Sequence, residues 1–158
     1  MMISHVRGDF SGLTGQLNFD PANPEQSQVE VEIDVKTVNT GQSQRDAHLV
    51  SGDFFDAEQY PTIKFVSKRA ERTGDDTAKV TGDLTIHGVT KEVTLEVDGT
   101  PSEVKDLYGN YRLGYTGRTK IKRGDFGLAY NAALETGGVL IGDDVEITLD
   151  VQFMRPGA

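Results

Sequence analysis

The chain has 158 residues and is 36% apolar, enough for the core of a single domain, 1–158, and no more. Its 25 Asp and Glu against 16 Lys and Arg give a net charge of −9, which repels nucleic-acid phosphates and anionic lipid headgroups. Cysteine is absent, excluding disulfides and thiolate metal sites, and no apolar run approaches the ~20 residues of a membrane helix.

Met1-Met2-Ile3-Ser4-His5 lacks the basic and then apolar start of a secretory signal. Beyond it, period-two alternation places apolar groups on one face of successive strands. Leu13, Gly15, Leu17 and Phe19 alternate with polar residues in a predicted strand over 9–19. Val29, Val31, Ile33 and Val35 do so over 28–38. Residues 42–51, Gln42 to Ser51, break the alternation and suit a short helix ended by Gly52. Ile63 and Phe65 then mark a strand over 62–71. Ala78, Val80, Gly82, Leu84 and Ile86 mark 77–87, and Val93, Leu95 and Val97 mark 91–99. Tyr111, Leu113, Tyr115 and Gly117 mark 111–122, and Val145, Ile147, Leu149, Val151 and Phe153 mark 143–155. Between the last two, about 123–142 reads as non-strand. Asp20-Pro21-Ala22-Asn23-Pro24, Gly74-Asp75-Asp76, His87-Gly88-Val89-Thr90 and Tyr108-Gly109-Asn110 read as turns.

Every strand is polar on one face and apolar on the other, so the sheet is antiparallel with one face to water. Long strands on short hairpins suggest a barrel closing on itself, with a two-sheet sandwich as the alternative architecture. An odd number of antiparallel strands leaves the first and last running parallel, which predicts an eighth strand ahead of the seven. Gly15, Gly82 and Gly117 all fall on the apolar face. Each either serves a bend or bulge or leaves room for a guest. On the second reading Gly82→Leu fills a cavity and spares the fold.

Catalytic signatures are missing. Nucleophile-elbow, phosphate-loop, dinucleotide and zinc-protease patterns do not occur. His5, His48 and His87 lie far apart, none with a carboxylate at metal-site spacing, so no metal or cofactor is expected. Gly137-Gly138-Val139-Leu140-Ile141-Gly142 reads as a loop, Asp75-Asp76 as a solvated turn and Asp143-Asp144 as a turn cap. Arg45, Asp46 and His48 on the helical segment, followed by Phe54 and Phe55, have two readings. They form a local ion pair on a helix that plugs the barrel, or a lid whose polar groups meet a ligand headgroup.

Arg45-Asp46-Ala47-His48-Leu49, Asp53-Phe54-Phe55-Asp56 and Tyr60-Pro61-Thr62-Ile63-Lys64-Phe65 resemble the most characteristic block of the YceI-like family of bacterial polyisoprenoid-binding proteins. Val80 to Lys91 resembles its second signature, and Arg123-Gly124-Asp125-Phe126-Gly127 and Gly142-Asp143-Asp144-Val145 its C-terminal elements. The resemblance runs from about residue 6 to the end. It implies an eight-stranded, lipocalin-like antiparallel barrel with a short helix near the mouth. Seven strands are evident in this chain. The family's first strand, with an Asp-x-x-His-Ser element, is expected ahead of the matched segment.

The resemblance further implies a non-enzymatic carrier or store for a long isoprenoid lipid of the polyprenyl or quinone type. The expected lining, taken from the inward alternation, is Leu13, Leu17, Phe19, Ile63, Phe65, Gly82, Leu84, Ile86, Leu113, Tyr115, Ile147 and Leu149. Leu49, Phe54, Phe55 and Phe126 are expected to close the ends, with Arg45, Asp46 and His48 as headgroup candidates. Competing functions are a solid-core structural or partner-binding domain, and an enzyme acting on an apolar substrate. Expected partners are the lipid alone, without nucleic acid or stable membrane insertion, and a homodimer stays open. The location is periplasmic if a signal peptide lies upstream and cytoplasmic otherwise.

Overall fold

The computed structural model describes residues 2–4, 8–18, 23–99, 104–128, 139–141 and 144–155. Phe19, the turn residues 20–22, His5, Gly137, Gly138, Gly142 and Asp143 lie outside the described residues. In chain order the strands begin with β1 (Met2–Ser4), β2 (Asp9–Phe10), β3 (Leu13–Asn18), β4 (Gln28–Asp34) and β5 (Val38–Asn39). Helix α1 (Ser43–Leu49) leads to β6 (Thr62–Arg72), β7 (Thr77–Ile86) and β8 (Val89–Gly99). The last four are β9 (Val104–Lys105), β10 (Tyr111–Lys122), β11 (Val139–Ile141) and β12 (Asp144–Arg155).

Seven strands, in the order β12-β10-β8-β7-β6-β4-β3, curl into a nearly closed barrel with every neighbouring pair antiparallel. An odd number of alternating strands leaves β3 and β12 pointing the same way, and they do not pair among the described residues. β9 adds to β10, β2 pairs with β5, and β1 lies parallel to β11, which falls within the stretch expected to be non-strand.

Element boundaries follow local chemistry. The strand expected over 28–38 stops at Asp34, whose carboxylate accepts the Lys36 N–H at 3.0 Å and caps a 3₁₀ turn over Val35–Thr37. That turn buries Val35 to 1% exposure instead of extending the sheet. The strand expected over 9–19 breaks at residues 11–12, where the Gly12 carbonyl accepts the Asp34 N–H at 2.8 Å. The helix ends at Val50, whose N–H bonds the Asp46 carbonyl while the Ser51 N–H bonds that of His48, two residues before the expected Gly52. Between β7 and β8, His87 at φ 56° and Gly88 at φ 73° form a two-residue turn with both φ positive.

Inside the barrel the two ends differ. At the end where β6 begins and β7 and β10 finish, the connections fold inward. Val35, Phe54 and Ala57 come from turns, and Phe126 comes from a 3₁₀ turn over Arg123–Phe126. Val35, Ala57 and Phe126 pack on Ile63, Ile86 and Ile121, and Phe126 is 1% exposed. Gly127, at φ 72°, closes that turn in the left-handed region. This half is a solid core.

Candidate functional site

The other half, where β6 ends and β7 begins, is hollow. About 200 Å³ of free space opens to solvent there. Val29 and Val31 of β4, Phe65 of β6 and Val80 of β7 form one wall. Leu95 and Val97 of β8, Tyr115 of β10, and Leu149, Val151 and Phe153 of β12 form the other, with Leu17 of β3 beside the unpaired seam. No charged group lies on these walls; charge is confined to the rim, where Glu25, Arg72, Asp75 and Asp76 stand. Arg72 is held in its own hairpin, donating from Nε to the Gly74 carbonyl at 2.9 Å and from Nη2 to the Asp75 carbonyl at 3.2 Å. The site therefore offers an apolar sleeve with an acidic rim. It can remove a hydrocarbon from water, but it has no buried acid, base or nucleophile among the residues lining it.

Of the residues expected to line a cavity, Leu17, Phe65, Tyr115 and Leu149 do so, and Phe65 also anchors the core. Ile63, Leu84, Ile86 and Phe126 belong to the solid core, with Ile147 and Phe55 packed against it. Leu113, paired with Phe153, and Phe54 are buried without lining the void, Leu13 sits on the edge strand opposite Ile33, and Leu49 ends the helix. Val29, Val31, Val80, Leu95, Val97, Val151 and Phe153 line the void without having been singled out. All belong to the inward alternation, which marks a face but not a height along the barrel.

The three inward glycines separate. A Cβ at Gly82 would stand 2.3 Å from the Val66 carbonyl oxygen and 2.8 Å from Ser67 Cα. Gly82 faces the bulge at Ser67/Arg69 where the β6–β7 register shifts, so it permits a close strand approach and leaves no room for a guest. The expectation that Gly82→Leu would spare the fold is corrected accordingly. A Cβ at Gly15 would stand 2.9 Å from the Glu30 carbonyl oxygen, so it is likewise a close-approach glycine. Gly117 differs: its Cβ would meet Leu95 Cδ1 at 3.7 Å and Val97 Cγ2 at 3.8 Å, ordinary contacts, and it lines the void.

The polar cluster on α1 is knit into its own loop, at the closed end. Asp46 Oδ1 accepts from the Thr40 N–H at 2.9 Å and from its hydroxyl at 2.6 Å. Arg45 donates to Thr40 Oγ1 at 2.8 Å and to the Thr40 carbonyl at 3.0 Å. His48 Nε2 and Asp53 Oδ2 are 2.8 Å apart. None of the three lines the void. Among the described residues no group of three His, Asp or Glu comes together as a metal site, and no helix is long and apolar enough to cross a membrane.

The fold has counterparts in known proteins. A family model described as a YceI-like domain matches residues 1–153. UPF0312 proteins of Pseudomonas savastanoi pv. phaseolicola and Pseudomonas fluorescens are 42% and 43% identical over 125 and 129 residues. Those matches take in 79% and 78% of this chain and 65% of each relative, so the chain spans just under two thirds of the curated relatives it matches. The crystal structure of the Campylobacter jejuni YceI protein superposes with a TM-score of 0.83 at 34% identity, covering 98% of this chain and 88% of that one. Burkholderia cenocepacia BcnA gives 0.78 at 28% identity, covering 92% and 86%. A polyisoprenoid binding domain from Saccharophagus degradans gives 0.72 at 18% identity, covering 94% and 85%, a likeness of fold.

Proposed function

Since the chain belongs to the YceI-like family, we propose that it binds and carries a lipid with a long isoprenoid tail, polyprenyl or quinone-type, in the hollow half of its barrel. It does no chemistry on that lipid. The observation that carries this reading is the void of about 200 Å³ walled by apolar side chains. An engineered apolar cavity of about 150 Å³ holds benzene. By that measure the void takes about one to two isoprene units as it stands. A longer tail has to push the wall side chains aside or leave between β3 and β12. Each unit buried removes on the order of 100 Å² of apolar surface from water, roughly 2.5 kcal/mol. Several units outweigh the cost of immobilising the ligand. The absence of charge on the walls supports binding over catalysis, and the polyisoprenoid-binding description of the Saccharophagus domain is consistent with the ligand class.

Organic extraction of the purified protein followed by mass spectrometry tests this. The proposal expects a near-stoichiometric isoprenoid lipid, or uptake of one when it is supplied. A protein that yields none and takes up none leaves the void without a lipid, and the proposal fails.

A further inference from the structure

We propose that the Leu107–Tyr108 turn is a membrane-touching tip that docks the open end of the barrel transiently on a zwitterionic lipid bilayer. Leu107 is 100% exposed and Tyr108 87%, side by side. The other exposed large apolar residues among those described, Val66 and Met154, are less so and stand singly on strands, which is ordinary for a soluble surface. An adjacent pair held fully in water needs a reason.

The pair is held out by a built scaffold. Asp106 Oδ1 accepts the Tyr108 N–H at 2.9 Å and the Asn110 N–H at 3.0 Å, and its Oδ2 takes Arg112 Nε at 2.7 Å. The Asp106 N–H bonds the Asn110 carbonyl at 2.8 Å, and Gly109 turns the chain at φ 82°. A turn so fixed loses little freedom on docking. Its place is equally specific. β10 pairs with β8 as far as Tyr115↔Gly99 but begins at Tyr111, so it overshoots β8 by four residues, about 13 Å. The overshoot is at the end where the void opens, because Tyr115 and Gly117 of β10 line that void. The tip therefore reaches past the mouth on the side where cargo would enter.

Charge decides the surface. At the tip Asp106 is matched by Arg112, and Lys105 adds a cation beside it. Around the mouth Glu25, Asp75 and Asp76, with a whole-chain charge of −9, oppose anionic headgroups. A zwitterionic interface suits a leucine beside an amphipathic tyrosine. The choice of a bilayer over a protein rests on the lipid-carrier reading, because the tip adjoins the entrance for a lipid.

The chain has no Trp, so Leu107→Trp supplies a single reporter. On addition of phosphatidylcholine vesicles its emission is expected to shift to the blue and be quenched by brominated acyl chains, the signal weakening as phosphatidylglycerol replaces phosphatidylcholine. Glu58→Trp, at the closed end, is expected not to respond. Emission at position 107 that ignores vesicles, or an equal response at 58, would overturn the proposal. So would a shift that follows protein concentration without vesicles, which would assign the tip to a second copy of the chain. The readout needs no cargo. Failed extraction with a vesicle response sinks the carrier reading, whereas extracted lipid without a vesicle response sinks the tip.

Discussion

The two halves of the barrel are built from the same strands, yet one is packed solid and the other is hollow. β6 contributes Ile63 to the first and Phe65 and Ala70 to the second; β7 contributes Ile86 to the first and Ala78 and Val80 to the second. Alternation runs through both, interrupted on β6 by the bulge at Ser67/Arg69. The difference comes from the connections. At the closed end the turns at 35–37, 51–60 and 123–126 send Val35, Ala57 and Phe126 into the barrel. At the open end the β6–β7 hairpin closes over Thr73–Asp76 with polar residues exposed to solvent, and offers no plug. Strands make the wall of this barrel, and turns decide which end is filled.

The comparison can be broken from either side. Phe126→Ala removes the largest fully buried plug and is expected to cost about 3–5 kcal/mol in denaturant unfolding, with lipid uptake by the folded protein retained. A loss below about 1 kcal/mol would mean that the closed end is not the stabilising half. The glycines give a second, smaller contrast. Gly82→Ala places a methyl against backbone and is expected to cost about 1–3 kcal/mol. Gly117→Ala, with ordinary contacts only, is expected to be neutral or slightly stabilising, because it relieves a mid-strand glycine. Equal effects would erase the distinction between close approach and open space.

The smallest effect concerns the tip. A hydrogen bond from Arg112, outweighing partial desolvation and aided by the Asn110 and Tyr108 N–H groups, holds the Asp106 carboxyl below its ordinary range. A carboxyl depressed in the folded state contributes stability that is present above the unfolded pKa, about 3.9, and is lost as pH falls through the lower folded value. Amide exchange at Tyr108 and Asn110 is therefore expected to gain opening below about pH 4. Asp106→Asn is expected to remove that pH dependence. An unchanged acid limb in the variant would assign it to other carboxyls with depressed pKa, such as Glu92 beside Lys68 and Arg69, or Asp144 beside Lys122.

Much of the fold was legible in the residues. The strand expected over 111–122 is β10 residue for residue, and the odd strand count anticipated β3 and β12 running in the same direction. The alternation also named the inward face of the barrel strands, except past the bulge at Ser67/Arg69, where Ala70 lines the void out of phase with Ile63 and Phe65. It could not give height along the barrel axis, because Ile63 and Phe65 look alike in a period-two pattern although one lies in the core and the other also borders the void. The short 3₁₀ turn at Val35 was hidden for a related reason: a valine at the right parity reads as one more strand residue, and its cap depends on Asp34 reaching Lys36 N–H. Gly82 and Gly117 were indistinguishable for want of knowing which neighbour each would meet. The α1 cluster drew notice as polar groups on a lone helix, and Thr40, the residue that engages Arg45 and Asp46, carries no signal of that role in the sequence.

The most direct measurement is an equilibrium titration of the parent and Gly117→Leu with a fluorescent isoprenoid, alongside their unfolding curves. A Cβ at 117 meets only the Leu95 and Val97 side chains, at 3.7–3.9 Å, and the position lines the void, so a leucine there is expected to take up its space. The expected result is a stable, folded variant with affinity reduced at least tenfold, a difference of about 1.4 kcal/mol. A folded Gly117→Leu that takes up the probe as tightly as the parent would contradict the assignment of the hollow half as the lipid site.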